Sequence, residues 1–573
     1  MVRRLLVAIV LAGALAPAAA AEPVQLMPGV VYEKQVQFTP HGPEVIHVMT
    51  APRPSGLYAL RPVLSNGALL GRETVTSMQR RVSSIATVGG VNGDLFTFAE
   101  GLPSGMLMQS GVLKTPPHPR RSSVGITSDG RLAVDRVALI GQWQGSSQRR
   151  PLNGLNQRPG PEGASLFTPA WGSATPFAQG TVEVVLQPFP PASAFTELTG
   201  SVVAAKPGGG TAIPADGAVL VARGSSAGRL AAEAQLGQEV TVRLILRPQW
   251  GGITEAIGGG PLIVKDGQPV FRALEDFSSG QLNLRHPRTA VGQRADGTVI
   301  LVAVDGRRPG YSVGMTNFEL AQTMVRLGAA TASALDAGGS TTMAFDGTLL
   351  NRPSERFERP VSDALMVFYY GVYAPLPSAK VLSPNGDGVD EVQSLSYKLV
   401  RRSTVTASLI GPDRVPREIE TGVQEPGVHR LTWSGRRGEG SLEPEGRWRW
   451  VINALDDEGK ESKAERAFFL NNTLGYLQVR PSRLVLRRRG GALHVGFRLA
   501  RPAVVTLTVE TASGARVRTI TRRMRAGRAS IRWNGRYRNG ARAFSGSYVA
   551  RVRTSSSSGP AELARRFSVR RVR

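Results

Sequence analysis

Apolar residues in this chain come mostly in short runs broken by turn residues, a pattern that predicts strands far more often than helices. Thr298 to Val304 reads as a buried strand ending in Asp305-Gly306-Arg307. Thr316 to Leu327 reads as a helix. Thr316-Asn317-Phe318-Glu319 has capping-box spacing, apolar Leu320, Ala321, Met324 and Leu327 follow, and Gly328 ends the run. Glu319 is therefore a cap and not a catalyst. A second short run, Ser333-Ala334-Leu335, delivers Asp336 into the turn Ala337-Gly338-Gly339-Ser340-Thr341-Thr342. Strand, helix and strand make a βαβ crossover, which leaves its two strands parallel. Asp305 and Asp336 then both emerge at carboxyl ends, the side on which open sheets place ligands.

Between Gln79 and Phe368 the runs are separated by Asp-Gly pairs at 129–130, 216–217, 266–267, 296–297 and 346–347, each of which reads as a tight turn. The region is an α+β domain, a β-rich mixed sheet with one clear helix. A Pro-rich join, Ala374-Pro375-Leu376-Pro377-Ser378, closes it. Two blocks then repeat at a spacing of 100: Trp433-Ser434-Gly435 matches Trp533-Asn534-Gly535, and Gly440, Gly446 and Trp448 match Gly540, Gly546 and Tyr548. Repetition on this scale means duplicated domains. The expected organisation is a domain over 22–375 and two all-β Ig-like sandwiches over 376–477 and 478–573, their tryptophans in the cores.

The first residues change the picture of where the chain works. Met1-Val2-Arg3-Arg4, the apolar run Leu5 to Leu15 and the small residues Ala18 to Ala21 read as a signal peptide over 1–21. The mature chain is expected to be secreted or periplasmic, associated with a bacterial cell envelope and without a transmembrane segment. The absence of cysteine excludes disulfides, thiolate nucleophiles and Cys-ligated metals. The six histidines stand in no paired zinc-binding spacing, which argues against a zinc hydrolase. The net charge is +27, and from Pro481 onward 23 Arg face only Glu510 and Glu562. Charge of one sign at this density attracts polyanions. In an exported protein that points to an anionic cell-envelope polymer, not nucleic acid.

Further motifs complete the reading of the N-terminal domain. They are Asn92-Gly93-Asp94-Leu95-Phe96, Asn153-Gly154-Leu155-Asn156, Ile213-Pro214-Ala215-Asp216-Gly217, Gly258-Gly259-Gly260-Pro261-Leu262 and Arg288-Thr289-Ala290-Val291-Gly292. Asp305-Gly306-Arg307, the run from Asp336 to Thr342, and Asn351-Arg352-Pro353-Ser354 with Arg359-Pro360-Val361-Ser362-Asp363 follow in order. Together they resemble the phosphodiester glycosidase family. The resemblance implies hydrolysis of a sugar 1-phosphodiester, N-acetylglucosamine-1-phosphodiester-like, to free sugar and phosphomonoester. One departure is Ala337, where the family usually carries a third glycine; alanine is costly there only if φ is positive.

That chemistry suits the residues present. A phosphate leaves an anomeric carbon more readily than an alcohol does, so the site needs a carboxylate at the sugar and cations or NH groups at the phosphate. Asp336 and Asp305 are the expected catalytic pair. Arg288, Arg307 and Arg359 are expected to grip phosphate, since the guanidinium fork matches its oxygens. Asn92, Asp94, Thr289 and the turn Gly338, Gly339, Ser340 and Thr341 complete the binding set, the turn acting as an anion nest. A nucleophile elbow at Gly224-Ser225-Ser226-Ala227-Gly228 is a weaker rival, lacking the alternating strand and helix series of that hydrolase fold. Asn385, Asp387 and Asp390 are loosely spaced like a calcium loop, in a segment that also resembles the opening of hook-capping-protein Ig-like domains. The alternative to an enzyme is a non-catalytic envelope polysaccharide-binding protein that retains the fold.

Overall fold

The computed structural model describes residues 19–20, 22–270, 275–438, 440–488 and 491–572. The signal-peptide reading therefore lies almost wholly outside the described residues. Two compact units are formed, Met1–Tyr370 and Gly371–Arg573. Among the described residues no helix is long and apolar enough to cross a membrane.

The first unit is built around a nine-stranded sheet. Val299–Val304 forms as expected, and Asn317–Arg326 is the expected helix, capped by Thr316 with the Glu319 side chain reaching back to complete the box. Its apolar face, Leu320, Ala321 and Met324, packs on Ile300, Val302 and Ala332 of the sheet. The chain returns in Thr331–Ala334. These two crossover strands are parallel but do not touch. Arg288–Gln293 lies between them and pairs antiparallel with both, Arg288 opposite Val304 and Ala290 opposite Ala334. The amino end of this inserted strand and the carboxyl ends of its neighbours thus share one edge.

A five-stranded sheet approaches that edge. Its strand Thr87–Asn92 ends at Asn92, directly beside the start of Asp363–Tyr369, with Ala364 opposite Asn92. A separate eight-stranded sheet within residues 138–247 carries its own apolar core of Trp143, Leu166, Leu220 and Val242. It contains the parallel pairing of Gly154–Leu155 with Ala164–Phe167.

Four of the five Asp-Gly pairs join antiparallel neighbours. Asp216-Gly217 turns without making a hairpin, because the strands flanking it both pair with Thr181–Leu186 instead of each other. More helix is present than one. Val75–Val82, capped by Thr74, and Ser225–Glu233 are helices as well. The latter begins at the Gly224 motif, yet Ser226 Oγ donates to the Glu162 carbonyl at 2.6 Å on an antiparallel sheet, which removes the nucleophile-elbow reading.

The second unit holds two sandwiches with separate cores, one around Tyr397, Trp448, Trp450 and Phe468, the other around Trp533, Tyr548 and Phe567. The duplication extends to backbone conformation: Gly435 and Gly535 have φ of 71° and 74°, Gly440 and Gly540 86° and 83°. Trp448 and Trp533 are core residues, as expected, and Trp433 packs half-buried against its core. Asn385, Asp387 and Asp390 do not converge on an ion. Asn385 Oδ1 accepts from Asp387 N, and the two Asp387 oxygens accept from Val389 N and Tyr476 N, so the segment is a turn tied to the second sandwich. Among the described residues no group of three or more His, Asp or Glu is arranged to hold a metal.

Candidate active site

Where the shared edge meets the five-stranded sheet there is a pocket of about 150 Å³. Asp336, Arg288, Arg307, His286, Asn317 and Phe277 line it, with Ala337 and Gly338 at its rim. Asp336 is half-buried. Burial pushes its carboxyl up to about 6, against the opposing pull of the Ser340 hydroxyl, the Ala337 N–H and the charges of Arg359 and Arg121. Its own Oδ1 accepts from Ala337 N at 2.8 Å.

Asn92 fixes that acid without touching the pocket. It is fully buried, and its Nδ2 donates to the Asp336 carbonyl at 2.9 Å. Its Oδ1 accepts from Thr289 Oγ1 at 2.7 Å and from Thr342 N at 3.1 Å. Asn92 and Thr289, expected as substrate contacts, thus hold the backbone beside Asp336 and do not line the pocket. Asp94 is likewise sealed, accepting from Gly105 N at 2.7 Å. Burial, then the nearby Asp363 charge, holds Asp94 well above the usual carboxylate range. Burial, then Asp336, raises Asp363 as well.

Asp305, the other acid expected to be catalytic, does not line the pocket. Its side chain is closed to solvent and saturated: His47 Nε2 at 3.0 Å and Tyr311 OH at 2.9 Å meet Oδ2, while Asn351 Nδ2 at 3.1 Å and Arg352 N at 3.0 Å donate to Oδ1. Such a carboxylate is a structural hub. The acid at the first strand end anchors the fold, and the acid at the second faces the pocket.

The cations divide similarly. Arg288 is buried, its Nε on the Met315 carbonyl and its Nη2 on that of Leu284, at 2.8 and 2.7 Å. Burial and the neighbouring Arg307 push it down to about 10, so it stays charged at neutral pH. Arg307 is exposed and faces His286 Nδ1 at 3.3 Å. Burial and then these two guanidinium groups lower the His286 pKa, which keeps the imidazole neutral. Arg359 is ion-paired with Glu355 and reaches Ser340 Oγ at 3.4 Å, bracing the turn from outside the pocket wall.

The turn itself is less of an anion nest than expected. Gly338 N donates to Pro287 O, Thr341 N to Gly338 O and Ala337 N to Asp336, so these donors are engaged. Gly339, Ser340 and Thr341 are buried. Ala337 has φ −124° and ψ −175°, extended backbone open to any residue, so its departure from glycine carries no strain. Gly338, at φ +71°, is the position that needs glycine.

Three pocket-lining groups, His286, Asn317 and Phe277, and Arg121 stacked beyond Phe277 were not singled out as binding residues from sequence. His286 stands two residues before Arg288, a spacing that puts both on one side of extended chain. Asn317 is 3% exposed and its Oδ1 has no hydrogen-bond partner among the described residues, although it lines the pocket. Arg121 has two buried N–H positions, Nε and Nη1, without hydrogen-bond partners among the described residues and lies 5.4 Å over the Phe277 ring. Nothing in their local sequence marks Asn317, Phe277 or Arg121.

Residues 193–368, which include Arg288, Arg307 and Asp336, match the family described as phosphodiester glycosidase. Over that stretch the chain is similar to a phosphodiester glycosidase domain. Residues 485–558 match the FlgD Ig-like domain. The SPbeta prophage-derived uncharacterized protein YomE of Bacillus subtilis is 36% identical over 118 residues, 21% of this chain and 18% of that protein. A hypothetical protein from Synechocystis of known crystal structure is 26% identical with a TM-score of 0.53, covering 62% of this chain and 64% of that one. The chain thus spans less than two thirds of either relative. The catalytic domain of zebrafish N-acetylglucosamine-1-phosphodiester alpha-N-acetylglucosaminidase, auto-inhibited by its pro-peptide, is similar over 62% of this chain and 88% of that one. The identity is 14% and the TM-score 0.33.

Proposed function

We propose that the N-terminal unit is a glycosidase hydrolysing a sugar 1-phosphodiester to free sugar and phosphomonoester. The observation that supports it is one pocket holding a half-buried carboxylate, Asp336, together with two guanidinium groups, Arg288 and Arg307, that no carboxylate neutralises by direct contact among the described residues. Arg288 and Arg307 hold the phosphate oxygens and stabilise the charge that gathers there as the anomeric C–O bond breaks. Asp336, ionised, activates water or stabilises the positive anomeric carbon. Phe277 and the unpartnered Asn317 Oδ1 offer an apolar face and an acceptor for the sugar. In this reading the basic sandwiches hold the enzyme on anionic envelope polymer, outside the cell.

The test is release of N-acetylglucosamine from a simple N-acetylglucosamine 1-phosphodiester by wild type and by Asp336→Asn. The expected result is turnover by the wild type that falls by at least about a hundredfold in the variant, with kcat/KM of the wild type declining as pH drops through about 6. Equal release by both proteins removes the role of Asp336. No release by folded wild type supports the non-catalytic polysaccharide-binding reading instead.

A further inference from the structure

The second sandwich presents a face that the first, its internal copy, does not. Three strands form one of its sheets, Leu474–Arg480, Leu493–Leu499 and Gly527–Trp533. Leu477, Val479, Val495, Phe497 and Ile531 point into the core, so the intervening residues face solvent. Pairing sets them in rows. Arg480, His494 and Arg532 stand side by side in one, and Arg498 and Arg528 in another. The rows are four residues apart along the strands, about 13 Å, and Gly496 with Ser530 forms a low saddle between them.

All four arginines are exposed, and among the described residues none is in an ion pair. On the opposite sheet Arg551 and Arg553 are paired with Glu562, and Arg551 also with Glu510, while Arg516, Arg518, Arg522 and Arg523 of its edge strand are unpaired among the described residues. A Cβ on Gly496 would meet only Ala529 O, at 3.9 Å, so packing does not demand the glycine.

The repeat supplies a control. In the first sandwich the corresponding strands, Gln393–Leu399 and Gly427–Trp433, pair in the same register, with Ser394 opposite Thr432 and Lys398 opposite Val428. At the spacing of 100, Ser394, Val428 and Thr432 stand where the second copy has His494, Arg528 and Arg532. Lys398 keeps a cation where the second copy has Arg498, and Arg430 stands where it has Ser530, so the sheet forms without the charges of Arg528 and Arg532. Those two arginines serve something outside the fold.

We propose that this face is the docking surface for a phosphodiester-linked glycan polymer, the choice of phosphate resting on the activity proposed above. Guanidinium forks match phosphate oxygens, and two cationic rows across an uncharged saddle suit a chain whose anions are separated along it. Single-stranded nucleic acid needs aromatic platforms for its bases. Tyr476 is the one Phe, Tyr or Trp exposed on this face, and Arg498 already covers it at 6.0 Å. A flat sheet offers nothing to enter a duplex groove.

The experiment measures binding of fluorescent poly(N-acetylglucosamine 1-phosphate) to the full chain across salt concentrations. Arg528→Val with Arg532→Thr, the residues of the first sandwich, is expected to weaken binding about tenfold near 0.1 M salt. The same pair should lower the log–log salt slope by about 1.4, at about 0.7 per charge removed. Arg516→Gln with Arg523→Gln, exposed on the far sheet, removes equal charge and is expected to stay within about twofold of wild type.

Should the Val/Thr pair misfold, Arg528→Lys with Arg532→Lys must weaken binding to the phosphate polymer more than to polygalacturonate. Equal losses in the near and far pairs overturn the proposal, as does tighter binding to DNA than to the glycan at the same salt. Absence of hydrolysis with the face effect intact removes the activity and leaves the surface standing. Hydrolysis with no face effect does the reverse.

Discussion

Gly338 combines a left-handed backbone with proximity to a cation: a Cβ there would stand 2.9 Å from Arg307 Nη2. Gly338→Ala is therefore expected to strain the turn by about 1 kcal/mol and to displace Arg307. KM for a phosphodiester substrate should then rise more than kcat falls, as steady-state kinetics would show. Asp336 makes a second residue-scale prediction. Its pKa is raised by the fold, from the ordinary 3.8 to about 6, so ionising it costs native stability. The native state binds more protons than the unfolded chain across that window, and wild-type stability falls as pH rises through it. Asp336→Asn, which has no charge to bury, should match wild type below pH 4 in thermal melts. It should exceed wild type by about 2 kcal/mol above pH 6, after allowing for solvent reaching the carboxylate. Asp336 was legible because an apolar run leads straight into glycines. Asp305 has the same signature, and the partners that silence it, His47, Tyr311 and Asn351, come from distant parts of the chain.

At the scale of elements, the crossover read from sequence is present, and its helix and both strands fall within a residue or two of expectation. The strand between them was not readable as their neighbour, because adjacency in a sheet is not written in local periodicity. That insertion brings Arg288 level with the two acids. Asn92 then ties this edge to the second sheet, which separates structural from chemical roles. Asn92→Ala strips three hydrogen bonds from buried partners, and Asp305→Ala strands four donors, so each is expected to cost about 3 kcal/mol or more in denaturant unfolding. Asp336→Asn should cost nothing at neutral pH while abolishing turnover. Loss of activity in Asp305→Ala without loss of stability would return that acid to catalysis.

At the scale of the whole molecule, the duplication was legible because glycines in turns and tryptophans in cores recur at a fixed spacing. The lobe over 138–247 was not, because its strands pair out of sequence order. The charge gradient was plain in the composition, but the alignment of Arg480 with Arg532 and of Arg498 with Arg528 in rows needed the registers. If the face bearing these rows tethers the protein, raising salt toward 1 M shortens screening to about 3 Å. This should release full-length protein from envelope fragments in a sedimentation assay, while turnover of a small neutral-headed phosphodiester changes by less than about twofold.

The Asn92 amide joins residues 197, 244 and 250 positions away along the chain. Closing loops of that length is slow and comes late, because chain entropy must be overcome before the contacts reward it. Recovery of turnover after dilution from denaturant should therefore lag recovery of β-sheet signal, and catalysis becomes a clock for the last step of assembly.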